Sequence, residues 1–327
     1  MRAEIRAIEY YLPSSIIDNE SLASEFPEWT AQRIESKLGI RERHIAAVGE
    51  CASDLGFAAA EKLFRTGACT PDDVDYLLFC TQSPDYLLPT TACLMQARLG
   101  IPTTSAALDF NLGCSGYVYG LSLAKGLIET GQANNVLLIT AETYSKYIEP
   151  GDKSVKTLFG DAASATLMGA GDHIGESIGP FAFGTDGSGG ENLIVRSGGA
   201  RQPTGDDVDE DRFLHMNGPE IFDFTLRVVP DIVARLLEKA GKSADEIELF
   251  VFHQANVYML EHLRRKLKIP SEKFSVAMAD CGNTVSSSIP IALRDALEGG
   301  QISRGKLLML VGFGVGYSWG ATLVRWI

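Results

Sequence analysis

Apolar runs of strand length alternate with helical patterns along most of this chain, which restricts it to an α/β architecture with crossover connections. The first series reads "VDYLLFCTQ" (74–82), "TTACLMQARLG" (90–100), "ALDFNLG" (107–113), a helical pattern after residue 114, and "NNVLLITAE" (134–142). A second series follows, with a helix over "EIFDFTLRVVPDIVARLLEKAG" (220–241), a strand over "IELFVFHQ" (247–254), a helix over "VYMLEHLRRKLKI" (257–269) and a strand over "KLLMLVGFG" (306–314). Between them "SGGARQPTGDDVDEDRF" (197–213), rich in Gly and acid, reads as an exposed loop or linker. "LFGDAASATLMGA" (158–170) resembles "GFGVGYSWGATLVRW" (312–326), and the spacing between the copies is close to half the chain. The match supports two similar halves, each ending in a strand after a glycine turn.

The 327 residues suffice for a large core and two domain-sized units. A net charge of −13 argues against general nucleic-acid binding, which relies on a basic footprint. Charges at Arg2, Glu4, Arg6 and Glu9 break any signal-peptide core, and no stretch has the length of an uninterrupted membrane span. The six cysteines form no CxxC pair and no zinc-like spacing with histidine, which predicts reduced thiols in a cytoplasmic protein.

One cysteine is placed differently from the rest. Cys114 follows the strand-like "ALDFN" and precedes Tyr117, Leu121, Ala124, Leu127 and Ile128 at helical spacing, with Gly131 as a stop. At such a joint the helix N-terminus would favour a thiolate, and Gly113 and Gly116 would allow a sharp bend and close approach of a substrate. The alternative is a small buried cysteine that packs. His253 ends a strand just before a helix, Asn283 follows Gly282 in "ADCGNTVSSSIPIAL", and "VGFGVGYSWG" (311–320) is a glycine-rich turn between strands. Each has a structural alternative: a hydrogen-bonded strand-end histidine, an asparagine turn, a plain hairpin. Cys114 and His253 read as equivalent strand-to-helix joints of the two halves, able to converge on one pocket. There a thiolate could carry an acyl group. An imidazole and an amide could stabilise the oxyanion of an enolate.

The chain resembles the β-ketoacyl-acyl-carrier-protein synthase III family of the thiolase-like superfamily. The resemblance runs through "GIRERHIA" (39–46), "CSGYVYGLSLAKGLI" (114–128), "LFGDAASATLM" (158–168), "HQAN" (253–256), "GNTVSSSIPIAL" (282–293) and "WGATLVRW" (319–326). It implies a thiolase-like five-layered α/β/α/β/α fold built from two similar halves, 1–174 and 175–327, and a homodimer. It makes Cys114 the acyl-accepting nucleophile, with His253 and Asn283 promoting malonyl decarboxylation and backbone N–H groups at Cys114 and around Val315 forming an oxyanion hole. Acyl-carrier protein and acyl-coenzyme A are the implied partners, and no metal or redox cofactor is expected. "DYLLPTTACLMQ" (85–96) matches a segment that reaches the partner's acyl pocket, so Leu88 is a candidate wall residue.

The departures fall on the substrate grip. Arg33 and Lys37 stand where relatives carry a Trp and an Arg that hold the coenzyme A adenine, while Trp29 lies four residues too early. Lys153 and Tyr258 replace two further arginines. Ala255 and Asn256 of "HQAN" remain candidate substrate contacts, and Arg265 and Lys266 are available to an acidic carrier or a phosphopantetheine phosphate, or form a solvated helix face. The leading reading is a condensing enzyme. An acyltransferase of the same fold with another acceptor stays open, and the intact Cys114, His253 and Asn283 argue against an inactive partner subunit.

Overall fold

The computed structural model describes residues 1–172, 175–203 and 210–327. The 174/175 division between halves falls at residues outside that set, as does the middle of the acidic 197–213 segment. Two sheets dominate. The first has strand order β1-β7-β6-β4-β5, from β1 (Arg2–Tyr11), β4 (Tyr76–Cys80), β5 (Ala106–Phe110), β6 (Asn135–Glu142) and β7 (Ala162–Gly171). The second has order β11-β12-β13-β8, from β8 (Ile178–Thr185), β11 (Leu249–Phe252), β12 (Leu307–Gly314) and β13 (Ser318–Arg325). Short hairpins pair β2 (Ser15–Asp18) with β3 (Glu42–Ile45) and β9 (Leu193–Ile194) with β10 (His215–Met216). The longer helices are α2 (Ala31–Leu38), α3 (Ala52–Arg65), α4 (Thr91–Arg98), α5 (Gly116–Glu129), α7 (Gly218–Ala240), α8 (Val257–Lys266) and α9 (Ser288–Glu298). The short α1 (Asn19–Glu25) and α6 (Lys153–Lys156) complete the set.

The sheets mirror one another. In each, a strand antiparallel to both neighbours (β7, β13) separates a first strand (β1, β8) from a parallel pair (β6 with β4, β12 with β11). The repeated Ala-Thr-Leu falls on β7 and β13, so the sequence repeat marks equivalent strands. Helices α5 and α9 lie between the sheets, α3 and α4 cover the first sheet's outer face, and α7 covers the second's with α8 beside it. That gives five layers. The face that helix α5 turns to the sheets is apolar: Tyr117, Val118, Leu121, Ala124 and Ile128 are all buried.

One expectation needs correction. Strand β11, which delivers His253, pairs in parallel with β12 and bridges in parallel to Phe274 on its other side. Its counterpart in the first sheet is therefore β4, flanked by β6 and β5. Cys114 follows β5 instead, so the two residues occupy different joints of the two halves. The joint that corresponds to Cys114 is the one before α9, which carries Asn283.

Helix α5 also separates two kinds of glycine. Gly126 is exposed with open space where a Cβ would go, while a Cβ on Gly312 of β12 would lie 2.8 Å from the Cys114 carbonyl oxygen and the Ser115 Cα. Gly126→Ala should raise stability by about 0.5–1 kcal/mol, whereas Gly312→Ala should lower it, since backbone cannot give way. Thermal midpoints that fall for both would contradict this packing.

Candidate active site

Cys114 sits one residue before Ser115, the N-cap of α5, and the Gly116 N–H donates to the Gly113 carbonyl at 2.8 Å to close the elbow. The β12–β13 turn lies directly on it. A Cβ on Gly314 would come within 3.0 Å of both Cβ and Sγ of Cys114. Only a residue without a side chain lets the turn approach that closely. The turn is tied down as well: the Ser115 and Ser318 hydroxyls are 2.6 Å apart, and Ser318 Oγ donates to the Val315 carbonyl at 3.0 Å. Val315 is thereby held against the Gly113–Cys114 elbow.

His253 leaves the end of β11 with its N–H donating to the Val311 carbonyl at 2.8 Å. Its ring packs edge-on to Phe313, and Nδ1 lies 2.8 Å from Ser288 Oγ. Asn283 is fixed by backbone on both sides: its N–H donates to the Leu158 carbonyl at 2.9 Å, and its own carbonyl accepts from Gly160 at 3.1 Å. The Asn283 Oδ1 accepts from the Val285 N–H at 3.0 Å, which leaves the amide N–H groups for the cavity that Asn283 lines. Arg43 buttresses the 157–160 segment. It is completely buried, and its guanidinium donates to the Thr157 carbonyl at 2.9 Å and to Asn19 Oδ1 at 2.7 Å.

Cys114, His253 and Asn283 meet in one cavity of about 100 Å3, whose remaining wall is largely apolar, with Ala255, Met259 and Phe313 among its members. A wider hollow of about 430 Å3 adjoins it through Leu193 and is lined by Gln82, Leu87, Tyr144 and Val315. A separate cleft of about 460 Å3 between Glu261, Arg264, Ser275 and Asp295 holds none of the three.

Burial dominates the electrostatics. It pushes His253 down to about 3, outweighing the Val285 backbone, so the imidazole is neutral. It pushes the Cys114 thiol up, with the nearby Glu142 carboxyl adding to the effect. Burial thus acts against the helix-end activation expected for this thiol. Glu142 ends β6 completely buried and is itself raised to about 8 by desolvation. Its carboxyl joins the two halves, accepting from the Gln82 N–H at 3.0 Å, Ser83 Oγ at 3.1 Å and Ser286 Oγ at 3.0 Å. Sequence reading passed over Glu142 and Ser288. A carboxylate closing the apolar run "NNVLLITAE" was the available signal for the first, while the serine run hides the second.

Residues 108–187 match the family described as 3-oxoacyl-[acyl-carrier-protein (ACP)] synthase III, and residues 237–326 match its C-terminal counterpart. The β-ketoacyl-[acyl-carrier-protein] synthase III of Caldanaerobacter subterraneus is 35% identical over 97% of this chain and 95% of its own. The chain belongs to the 3-oxoacyl-[acyl-carrier-protein] synthase III family. A crystal structure of a 3-oxoacyl-(acyl-carrier-protein) synthase III superposes with a TM-score of 0.98 at 54% identity, covering 100% of both chains. That of the 3-oxoacyl-(acyl-carrier protein) synthase from Burkholderia xenovorans gives 0.93 at 38% identity, covering 100% of this chain and 94% of its own.

Against that synthase III background the remaining candidate residues separate. Ala255 and Asn256 line the cavity, but Asn256 Oδ1 is also the N-cap of α8, accepting from the Met259 N–H at 2.8 Å. Trp29 is not out of place. It stands just before α2, and Arg33 and Lys37 lie over its ring at 5.5 and 5.3 Å from the centroid. Lys153 pairs at the surface with Glu28. Lys266 donates to the Leu226 carbonyl at 2.8 Å, whereas Arg265 is exposed and pairs loosely with Glu261. Tyr258 stacks on Phe222 and His262 at the start of α8. Leu88 projects into solvent with Tyr86 and Leu87 and does not line its own chain's cavity.

The Glu142 shift has a definite sign. The native state keeps a proton between the ordinary carboxylate value of 4.5 and about 8 that the unfolded chain releases, so stability is lost as pH rises through that window. Glu142→Gln should therefore lower the thermal midpoint less than wild type does between pH 5 and about 8. Parallel pH profiles for the two proteins would show that Glu142 ionises normally.

Proposed function

We propose that this chain performs a decarboxylating Claisen condensation, joining an acyl primer held on Cys114 to the two carbons left by malonyl-acyl-carrier protein to give a β-ketoacyl thioester. The observation that carries the reading is the meeting of Cys114, His253 and Asn283 at one cavity, the first against the glycine turn and the other two each with a hydrogen-bonding group fixed from behind. In the first half-reaction Cys114 Sγ attacks the carbonyl of an acyl thioester, the incoming thiol departs, and the proton of Cys114 leaves with it. Because burial keeps Cys114 protonated, loss of that proton belongs to the acyl transfer itself. The carbonyl oxygen becomes negative there, beside the backbone of Cys114 and the turn around Val315.

In the second half-reaction the C–C bond to the malonyl carboxylate breaks, carbon dioxide leaves, and its electron pair forms an enolate. The neutral His253 and the Asn283 amide are hydrogen-bond donors for that oxygen, and the largely apolar lining of the cavity strengthens both. The enolate carbon attacks the Cys114 thioester and expels the Cys114 thiolate, which takes up one proton from solvent to restore the resting thiol. The bond-forming electron pairs come from the Cys114 sulfur and from the malonyl C–C bond, with no net oxidation or reduction, so the sequence calls for no redox cofactor. The exposed Tyr86-Leu87-Leu88 strip beside the wider hollow fits a homodimer in which Leu88 reaches the partner's pocket. Among the described residues no helix is long and apolar enough to cross a membrane, and the reduced cysteines fit a cytoplasmic enzyme.

Cys114→Ala should abolish acylation and condensation, read as loss of the acyl adduct in intact-protein mass spectrometry. His253→Ala and Asn283→Ala should keep single-turnover loading of Cys114 while malonyl decarboxylation falls on the order of 100-fold or more. Equal losses in both steps would sink the division of roles. A second expectation concerns the donor. The Trp29 ring with Arg33 and Lys37 is an aromatic and cationic surface suited to a nucleotide, so Trp29→Ala should slow loading from acyl-coenzyme A more than from an acyl-carrier donor. The difference should shrink in high salt as the cationic share is screened. Equal slowing from both donors would remove Trp29 from the coenzyme A grip.

A further inference from the structure

His253 can assist an enolate only from the right nitrogen. A neutral imidazole donates from one ring nitrogen and accepts at the other, and the partner of the rear nitrogen decides which. Here the rear nitrogen is Nδ1, 2.8 Å from the hydroxyl of Ser288, the first residue of α9. Ser288 is itself buried, and its Oγ already accepts from the Gln254 N–H at 3.3 Å. The hydroxyl has one proton to give. Among the described residues its only other hydrogen-bond partner is Nδ1 of His253. Were Nδ1 protonated instead, the buried hydroxyl hydrogen would have no acceptor, which costs more than an ordinary hydrogen bond gains.

We propose that Ser288 is a positioning residue that holds His253 as its neutral Nε2–H tautomer, so that the ring meets substrate with a donor. This rests on the reading of His253 given above. The other groups around the ring agree with a neutral state: Phe313 presents an aromatic ring, and Asn283 an uncharged amide. The Val285 backbone favours a protonated ring but is outweighed by burial. Gln254 keeps the arrangement rigid. Its side chain donates to the Phe252 carbonyl at 2.7 Å and accepts from the Ala277 N–H at 2.8 Å, pinning the loop that follows His253. The chemical consequence is specific. An Nε2–H stabilises an enolate oxygen, whereas the other tautomer presents a lone pair that repels it. The acyl-loading step, whose oxyanion lies at the Cys114 elbow, is indifferent to the choice.

The test is direct nitrogen-15 NMR on the full chain labelled at histidine, with the His253 signals identified by their loss in His253→Asn. The expected spectrum has Nδ1 unprotonated and Nε2 protonated in the wild type, and a mixture in Ser288→Ala. Nδ1 protonated in the wild type overturns the proposal outright. In kinetics, Ser288→Ala should lower malonyl decarboxylation roughly tenfold, the size expected for one lost orienting hydrogen bond. Loading of Cys114 should stay unchanged, and Ser288→Thr, which keeps the hydroxyl, should recover most of the loss. Equal losses of loading and decarboxylation in Ser288→Ala, unrescued by threonine, would mean that Ser288 merely supports the fold and would overturn the positioning role. If His253→Asn itself leaves decarboxylation intact, the role of His253 fails instead, and the tautomer is still settled by the spectrum.

Discussion

Burial of α5 between two sheets is the constraint on which the rest of the molecule depends. Helix α5 turns Tyr117, Val118, Leu121, Ala124 and Ile128 inward as one apolar face, and with it touches strands of both sheets. Its N-terminus cannot then open to bulk water. It ends inside the protein, where β12 and β13 of the second sheet turn back, and the turn can come close only because Gly312 and Gly314 lack side chains. The cysteine at that terminus is thus placed by the packing of two halves, and neither half alone would bury it.

The same burial sets the chemistry. Three ionisable groups near the cavity are held in their neutral forms: Cys114 as a thiol, His253 as an imidazole, and Glu142 as an acid over much of the neutral range. A site built of neutral groups suits a reaction in which charge appears only in transit, first on a tetrahedral oxygen and then on an enolate. Permanent charges would demand counter-charges, and these would compete for the developing anion. Arg43 is the exception that fits. Although it is lowered to about 10, it remains a cation at neutral pH, yet it faces the Thr157 carbonyl and the Asn19 side chain and does not enter the cavity. Its charge is used to hold the backbone that in turn holds Asn283.

Much of this was legible in the sequence, and the parts that were not have physical reasons. The strands β4, β6, β11 and β12 are near-continuous apolar runs because they are covered on both faces, so pattern alone finds them. Equivalent strands kept Ala-Thr-Leu, which marked β7 and β13. The pairing of Cys114 with His253 as equivalent joints could not be checked by pattern, because the strand that would match β5 is reduced to an isolated bridge at Phe274. The desolvation of the thiol was not legible for a related reason. A helix terminus is visible in sequence, whereas the desolvation that opposes it arises from β12 and β13, some two hundred residues further along. Ser288 and Glu142 carry no local signature, since their meaning lies in partners from other segments.

The rim of the site obeys different rules from its floor. Cys114, His253 and Asn283 are each fixed by backbone or by buried partners, so a substitution beneath them would be felt throughout the fold. Around the entrance the side chains settle their interactions locally: Lys153 with Glu28, Lys266 with Leu226, Tyr258 with Phe222 and His262, and Arg33 and Lys37 with Trp29. Exposed pairs of this kind contribute little to stability and can be exchanged singly. That is how a chain can replace the residues that grip the donor and keep the condensing chemistry. Trp29 is one case: it lies ahead of the Thr30 N-cap of α2, outside the helix, and its ring still meets the Arg33 and Lys37 side chains. What the fold holds constant is therefore the site of bond making, while the exposed contacts around α2 and α8 can be redrawn at almost no cost to stability.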